Sequence, residues 1–401
     1  MSFTTILKSI EETASSRLPL LKKWVEINSF SKNLQGLDQM AHSLFRDFSI
    51  LKGEQELIHL PSYPRWGPDG SLIHCETGLA LRIRKRPDAA QQIFLGGHLD
   101  TVHAPSSTFQ MLREQSATRW KGPGTADMKG GLFILLMAMM AFEASSRADR
   151  LGWEILITPD EEIGSASSLN LLLEAAGRYQ TGLLFEPAFP DGAFVSSRKG
   201  SATYAVVCRG QAAHVGREYT AGKSAVYALA EWITSVEQLG AKYPESILNV
   251  AALEAKAPPN VVPDLSICRI NSRSSSRADM LDIEQELHQI TARCNRRPGI
   301  RMVIERESFR CPKPFDSKTE TLFKEYGESA ACLGIPFHVR PTGGVCDGNF
   351  LSEAGMAVLD SAGAVGGHIH TEEEYIDLPS ITERAKLTAL FLMKRAEAEH
   401  G

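Results

Sequence analysis

The chain has 401 residues, of which 43% are hydrophobic and 23% are charged. This composition excludes a disordered chain and provides apolar material for two packed domains. The net charge of -5 and the pI of about 6.2 exclude a general electrostatic attraction to nucleic acid or to an anionic membrane.

Cysteine usage and the first residues indicate the compartment. Seven cysteines are scattered without a CxxC pair, so neither a disulfide framework nor a thiolate zinc site is predicted. The amino terminus alternates charged and apolar residues, unlike the continuous apolar core of a signal peptide. The most apolar segment, residues 131–142, is shorter than the roughly 20 residues that span a bilayer. We therefore expect a cytoplasmic protein that binds neither membrane nor nucleic acid.

The first third of the chain predicts two helices, then hairpin strands, then a buried strand. Residues 4–24 and 37–51 have apolar side chains at helical spacing, and residues 61–86 are rich in proline and glycine between short apolar runs. The stretch IFLGGHLDTV then places His98 and Asp100 at the end of an apolar strand. In open α/β sheets ligands bind at the carboxyl ends of the strands, and an acid near a histidine can fix the tautomer of its ring. Alone, such a pair is more often an ordinary histidine.

Acidic side chains follow the next predicted elements. In KGPGTADMKGG, closely spaced glycines around Asp127 predict a constrained turn ahead of the apolar helix. The strand over 153–158 ends in PDEEIGS and delivers Glu161 and Glu162 to the same sheet edge as His98. Glu186 ends another short apolar strand, GLLFEP. An isolated acidic run usually marks a solvated surface, but here the acids follow buried strands.

Two late histidines complete this set. The stretch GGHIHTEEEY places His368 and His370 in a glycine-led loop, before a terminal helix predicted from about residue 380. Histidine nitrogens and carboxylate oxygens at the ends of successive strands are the ligands of a metal site. The residue pattern by itself leaves open which of the two histidines is the ligand.

The middle of the chain has a different pattern. Between about residues 198 and 310 the predicted elements follow in the order β-α-β-β-α-β. This predicts an α/β protein with a catalytic domain in two parts, residues 1–197 and 310–401, and a smaller inserted α+β domain over residues 198–309.

The ordered motifs resemble those of a known family. GGHLDTV, GTADMKGG, DEEIGS, FEP, AAHVG, NVVPD, TGGVCDGN and HTEEEY are similar to motifs of the dinuclear-zinc amidohydrolases and exopeptidases, which include glutamate carboxypeptidase, acetylornithine deacetylase, succinyl-diaminopimelate desuccinylase and aminoacylase. The resemblance covers nearly the whole chain. It implies a zinc-exopeptidase α/β/α catalytic domain with an inserted lid that also forms a dimer interface. KGPGTAD lacks the usual arginine before the aspartate, which leaves the subfamily open.

The resemblance also implies the cofactor and its ligands. Two Zn2+ ions per chain are expected, for which Co2+ or Mn2+ can substitute, and a pair of ions can polarise a carbonyl and activate water. In the family the ligand precedes the EY pair by four residues, which favours His370 over His368. Five side chains would hold the ions: His98 and Glu186 on one zinc, Glu162 and His370 on the other, and Asp127 as the bridge.

Catalytic and substrate-binding roles follow from the same resemblance. Glu161 corresponds to the general base, Asp100 to the acid that orients the histidine ligand, and His214 to a histidine that reaches into the partner subunit's active site. Asn260 and Arg273 match substrate-binding positions, Arg273 through a bidentate contact with the substrate carboxylate. The surrounding SICRINSRSSS departs from the family pattern, so Arg269 competes with Arg273. The peptide bond between the bridging aspartate and the next residue is expected to be cis.

These inferences predict an enzyme. The expected reaction is hydrolysis of an amide that joins an acyl or aminoacyl group to an amino acid with a free carboxylate, as in glutamate carboxypeptidase. The alternative is an N-acyl amino acid deacylase of the acetylornithine deacetylase or succinyl-diaminopimelate desuccinylase type. Gly343 and Gly344 are expected to let the backbone approach this small-molecule substrate. We expect a homodimer. A non-catalytic binding protein would have lost a ligand or Glu161, and all are present.

Overall fold

A mixed β-sheet of six strands lies at the centre of the computed structural model, which describes residues 3–397. The helices are α1 (Phe3–Val25), α2 (Leu34–Phe48), α3 (Gly130–Glu143), α4 (Leu169–Arg178), α5 (Ala225–Gly240), α6 (Arg277–Cys294), α7 (Ser317–Leu333), α8 (Gly348–Glu353) and α9 (Leu378–Arg395). The strands are β1 (Glu54–Ile58), β2 (Tyr63–Trp66), β3 (Leu72–Cys75), β4 (Ala80–Lys85), β5 (Gln91–His98), β6 (Arg113–Ser116), β7 (Arg119–Lys121), β8 (Leu151–Thr158), β9 (Thr181–Leu184), β10 (Phe194–Arg198), β11 (Gly200–Arg209), β12 (Ile247–Glu254), β13 (Leu265–Ser274), β14 (Arg301–Arg310), β15 (Val339–Thr342), β16 (Ala357–Leu359), β17 (Gly366–Gly367) and β18 (Tyr375–Asp377).

The central sheet has the order β1-β4-β8-β5-β9-β16. Strands β8, β5, β9 and β16 run parallel, whereas β1 and β4 are antiparallel to their neighbours. Side chains alternate along β5: Ile93 and Leu95 pack into the core that α1, α3 and α9 form, and Phe94 packs on the opposite face against α4 and α8. Both faces are covered, which confirms the expected α/β class.

Helix α3 has an apolar sequence and is buried in the core between neighbouring helices. From Gly130 to Met139 each residue is buried, and no charged residue occurs before the terminal Glu143. Together with the preceding turn, Thr125–Glu143 is long and apolar enough to cross a membrane, but 94% of its most apolar window is buried inside the protein. The helix packs between α1 and α9 and fixes the position of the turn before it.

A second sheet lies in the inserted segment. Its four strands are antiparallel in the order β12-β13-β11-β14. Together with α5 and α6 they form a separate hydrophobic core around Trp232. Along the chain the elements follow as β11, α5, β12, β13, α6 and β14. Thr203 and Asn271 of this sheet line one cavity together with Glu161 and Glu186, which follow strands of the central sheet.

Candidate active site

Three neighbouring parallel strands of the central sheet end at the site. His98 is the last residue of β5 and lies opposite Thr158, the last residue of β8. Glu161 and Glu162 form a short helical turn directly after β8, and Glu186 follows β9. Because parallel strands present their carboxyl ends at one edge, these side chains reach the same place.

Asp127 comes from the turn that precedes α3. The peptide bond after Asp127 is cis, as expected from the family resemblance. The carboxylate of Glu374 accepts backbone hydrogen bonds from Gly124, Ala126 and Asp127 at 3.0, 2.9 and 3.0 Å. The ring of His103 lies 3.0 Å from the same carboxylate. Glu374, which is distant in the chain, therefore holds the turn that carries Asp127. His103, for which the sequence predicted no function, contacts the carboxylate of Glu374.

The carboxylate of Asp127 lies between two histidines. One oxygen is 3.2 Å from Nε2 of His98, and the other is 3.3 Å from Nε2 of His370. Each histidine has a second carboxylate beside it, Glu186 at 3.7 Å from His98 and Glu162 at 3.2 Å from His370. The structure thus brings all five predicted metal ligands together, in the pairs that the resemblance implied.

The structure also separates the two histidines of the last loop. His370 points its Nε2 at the carboxylates of Asp127 and Glu162. The ring of His368 lies instead beside Tyr375, with ring centroids 5.8 Å apart. This geometry favours His370 as the ligand.

The donor set fits a divalent cation. Ligand atoms of His98, Asp127 and Glu162 lie within 4.8 Å of one another, and nitrogen and oxygen donors are those that zinc accepts. Burial and neighbouring carboxylates raise the pKa of Glu162 to about 8, and burial raises the pKa of Glu186. Such crowded acids require positive charge beside them when they ionise.

Asp100 organises both sides of the site. Its buried carboxylate lies 3.4 Å from Nδ1 of His98 and accepts a hydrogen bond of 2.7 Å from the hydroxyl of Ser31. It also accepts backbone hydrogen bonds from Glu161 and Glu162 at 3.1 and 3.2 Å. Nδ1 of His98 also lies 3.1 Å from the backbone oxygen of Asp100. Asp100 therefore orients the histidine, and its carboxylate holds the turn that carries both glutamates.

Arg310, the last residue of β14, is a site residue that the sequence patterns did not indicate. Its Nη1 lies 2.9 Å from Oε1 of Glu161, an ion pair without hydrogen-bond alignment. Its Nη2 donates to the backbone oxygen of Glu161 at 3.0 Å and to the hydroxyl of Ser165 at 2.7 Å, and lies 3.3 Å from Asp347. Burial raises the pKa of Glu161 to about 7, although the guanidinium opposes this. No local motif marks Arg310, because the contact depends on how the two sheets pack.

A cavity of about 700 Å³ opens between the candidate metal ligands and the second sheet. Arg273 lines it and donates from Nε to Asn271 at 3.1 Å and from Nη1 to the backbone oxygen of Gly343 at 2.8 Å. Gly344 also lines the cavity, whereas Gly343 contributes its backbone oxygen to Arg273. The guanidinium therefore has a fixed position at the cavity wall.

Arg269, the competing arginine, also lines the cavity but is already neutralised. Its Nε and Nη2 lie 2.8 and 3.0 Å from the two carboxylate oxygens of Glu307. Nη2 also donates to the backbone oxygen of Trp66 at 2.7 Å. These contacts leave Arg273 as the better candidate for binding a substrate carboxylate.

His214 and Asn260 do not line the cavity of their own chain. Both are exposed, and they lie close together because the backbone of Val215 donates to the backbone oxygen of Asn260 at 3.0 Å. Nδ1 of His214 accepts a hydrogen bond from Gly216 at 3.1 Å. The structure therefore does not bring these two predicted residues to the candidate metal ligands of the same chain.

Comparison of the sequence gives the family. Residues 94–394 match the profile of Peptidase family M20/M25/M40. Carboxypeptidase G2 of Pseudomonas sp. (strain RS-16) is 23% identical over 309 residues, which are 76% of this chain and 74% of that protein. A probable carboxypeptidase of Aspergillus niger is 29% identical over 207 residues, 47% of this chain and 48% of that protein. Succinyl-diaminopimelate desuccinylase of Alkalilimnicola ehrlichii is 26% identical over 301 residues, 70% of this chain and 77% of that protein.

Solved structures show the same fold. Human carnosine dipeptidase 1 superposes with a TM-score of 0.74 at 16% identity, covering 99% of this chain and 100% of that one. The M20 family metallo-carboxypeptidase Sso-CP2 of Sulfolobus solfataricus superposes with a TM-score of 0.73 at 16% identity, covering 95% and 99%. The likeness therefore extends over the central and the inserted sheet.

Proposed function

Since the chain belongs to Peptidase family M20/M25/M40, we propose that it hydrolyses the amide bond between an acyl or aminoacyl group and an amino acid with a free carboxylate. Membership of this metal-dependent family makes it a hydrolase of amide bonds, and the substrate class is our inference. The observation that carries it is the carboxylate of Asp127 between His98 and His370, next to a cavity that contains Arg273.

Two Zn2+ ions fit the donor set. When bound, they would polarise the scissile carbonyl and lower the pKa of a water molecule. The paired contacts of Asp127 support a bridging role, because each of its oxygens already faces a different histidine. The ions would be held as follows: one by His98 and Glu186, the other by Glu162 and His370, and both by Asp127.

Glu161 moves the proton in this proposal. Its carboxylate accepts a proton from the attacking water and passes it to the nitrogen of the leaving amino acid, which is ordinary general acid–base catalysis. Arg310 holds the carboxylate through Oε1, and Asp100 holds the backbone of the same residue. The side chain is therefore oriented from both ends before substrate binds.

Arg273 anchors the carboxylate of the substrate. Its hydrogen bonds use Nε and Nη1 with uncharged oxygens, and it forms no ion pair with any residue between 3 and 397. The guanidinium of Arg273 can therefore still donate charge-assisted hydrogen bonds to a substrate carboxylate. Burial and the nearby Arg310 lower the pKa of Arg273, so an anion beside it relieves unfavourable charge.

A deacylase acting on N-acyl amino acids is the second candidate, and the similarity to a succinyl-diaminopimelate desuccinylase favours it. Both candidates use the same chemistry and differ in the acyl part that the cavity admits.

We also propose a homodimer, in which residues 198–309 act as lid and interface. The exposed position of His214 and Asn260, outside the cavity of their own chain, supports a role in the partner's site.

The direct experiment is hydrolysis of a panel of dipeptides and N-acyl amino acids by zinc-loaded protein, read as released amino acid. We expect turnover that stops on chelation and returns on adding zinc. The matched control is each substrate with its carboxylate amidated, which should be a poor substrate because it cannot pair with Arg273. Absence of turnover over the whole panel by zinc-replete, folded protein would contradict the proposed function.

A further inference from the structure

Among the residues that the structure describes, six lysine and arginine side chains line the cavity. Three of the arginines have carboxylate partners: Arg198 with Asp360 at 2.7 Å, Arg269 with Glu307 at 2.8 Å, and Arg310 with Glu161 at 2.9 Å. The remaining cations of the lining are Lys32, Arg65 and Arg273. Within residues 3–397, none of these three forms an ion pair.

Lys32 and Arg65 belong to the same end of the cavity. Lys32 lies in the loop between α1 and α2, and Arg65 lies in β2 of the β2–β3 hairpin. Burial raises the pKa of Tyr63, which also lines the cavity, and the positive charge of Arg65 opposes this shift. Partial burial and then Arg65 lower the pKa of Lys32, and Arg269 adds to this. The two cations therefore repel each other, Glu307 offsets part of this for Lys32, and neither forms an ion pair with a carboxylate of residues 3–397.

The hairpin that carries Arg65 is fastened to the second sheet. Arg269 donates to the backbone oxygen of Trp66 at 2.7 Å, and Arg209 donates to the backbone oxygen of Gly70 at 2.7 Å. Glu307 is neutralised by Arg269 through both of its oxygens. Arg65 directly precedes the residue that Arg269 holds, and Glu307 could pair with Arg65 only by giving up its pair with Arg269.

Strand β13 runs along one wall of the cavity. Arg269, Asn271 and Arg273 are two residues apart and so lie on one face, with about 13 Å along the strand between the two arginines. Arg273 and Arg310 lie in one row across the sheet, because Ser201 of β11 pairs with both. Arg310 contacts Glu161. The catalytic residues therefore lie at the Arg273 end, and Lys32 and Arg65 lie towards the Arg269 end.

We propose that Lys32 and Arg65 form a second anion-binding subsite, which accepts a carboxylate at the far end of the acyl group. This rests on the proposed function, in which Arg273 holds the carboxylate of the released amino acid. The preferred substrates are then N-acyl amino acids with an acidic group at both ends. Attraction between exposed charges weakens with salt, so the preference for an acidic acyl group falls as ionic strength rises.

The test compares acyl chains that differ only in their terminal charge. N-succinyl, N-adipoyl and N-suberoyl derivatives of one amino acid are assayed beside the methyl esters of their terminal carboxylates, with the zinc-loaded enzyme. The measured quantity is the ratio of kcat/KM for acid over ester. We expect a ratio of about ten or more for at least one chain length, from paired charges in a partly desolvated cavity. The Lys32→Met, Arg65→Gln double variant should bring that ratio close to one.

Because each ratio is taken within one protein, a general loss of activity cancels. Lys8→Met and Arg113→Gln, which change exposed cations away from the cavity, are the matched controls and should keep the wild-type ratio. A wild-type ratio of one or less at every chain length, or an unchanged ratio in the double variant, overturns the subsite.

Failure of the proposed function gives a different result. In that case neither acids nor esters are hydrolysed by the wild-type enzyme. The subsite is then tested by calorimetric binding of the same acids and esters to zinc-loaded protein. If the acid binds more tightly than the ester, and the double variant loses this difference, the subsite is supported. Equal binding of acid and ester overturns it.

Discussion

Glu161 and Glu162 are neighbours in the chain, but their carboxylates meet different groups. That of Glu161 lies against Arg310, and that of Glu162 lies 3.2 Å from His370. We predict that Glu161→Gln keeps its metal content and lowers turnover by about 10²–10⁴-fold, because the amide keeps the shape but cannot accept a proton. Elemental analysis and steady-state kinetics on the same preparation measure both quantities.

The adjacent Glu162→Gln is the matched comparison and should lose metal, because an amide is a poorer ligand than a carboxylate. If Glu161→Gln loses zinc and Glu162→Gln keeps it, the two roles have been assigned the wrong way round.

At the residue scale, local motifs identified the side chains that end buried strands. His98, Glu162 and Glu186 were predictable because each follows a short apolar run, and such a run is typical of a buried strand whose end reaches the sheet edge. The contacts of Arg310 and Glu374 could not be predicted, because their partners are far away in the chain. Arg310 contacts Glu161, 149 positions away, and Glu374 accepts hydrogen bonds from the Asp127 turn, about 250 positions away. Only the packing of the folded chain brings such groups together.

At the scale of elements, the start of α3 lies in direct contact with the end of β9. A Cβ atom at Gly131 would lie 1.9 Å from the backbone oxygen of Phe185, next to the proposed ligand Glu186. Gly131→Ala therefore must push the helix away from the strand, and Asp127 lies in the turn that leads into this helix. We predict weaker zinc binding together with a lower melting temperature, measured by competition with a chelator and by thermal unfolding.

Gly177 in α4 is the control for that substitution, since a Cβ there meets nothing within 4 Å. Gly177→Ala should raise the free energy of unfolding by about 0.5–1 kcal/mol and leave zinc affinity unchanged. Wild-type zinc affinity in Gly131→Ala would show that the helix start does not set the position of the ligands.

The other end of α3 is fixed by charge. Glu143 accepts from the indole of Trp153 at 2.8 Å and contacts Lys85 and Arg86 at the end of β4. Burial would raise the pKa of Glu143, but these hydrogen bonds outweigh it and lower the pKa. The stabilisation from a lowered pKa is present above the unfolded value of about 4.3 and is lost as the pH falls through the folded value.

We therefore predict that Glu143→Gln lowers the free energy of unfolding by about 1–3 kcal/mol at neutral pH. The difference from wild type should shrink as the pH falls below about 4. Denaturant unfolding at several pH values measures it, with Glu12→Gln on the exposed face of α1 as the control. A difference that grows on acidification would mean that the carboxyl is not stabilised in its charged form.

Elements differ in how far the sequence predicts them. Helices α1, α2, α3 and α9 and strands β5 and β8 are marked by periodicity or by continuous apolar runs, and the structure has them near the predicted bounds. Helix α7 was not predicted. The small sheet β17-β18-β7-β6 was not predicted, because strands of two to four residues have too few side chains to show a period. Their pairing with a distant loop is a tertiary effect.

At the scale of the whole molecule, the proposed dimer gives His214 a role in the partner's site. Homodimers of His214→Ala and of Glu161→Gln should each be nearly inactive. After random subunit exchange of an equal mixture, about half the dimers are mixed and one site in each is intact, so about a quarter of wild-type activity should return. A mixture that stays as inactive as its components after verified exchange would place His214 in its own chain or outside catalysis.

The bridged metal site is the central claim, and metal titration tests it most directly. Protein stripped with a chelator is titrated with zinc while bound metal and hydrolysis are followed together. The contacts of Asp127 with both His98 and His370 predict that two zinc ions bind per chain and that full activity requires both. Full activity with one zinc ion per chain, and no further gain from a second, would contradict the bridged site.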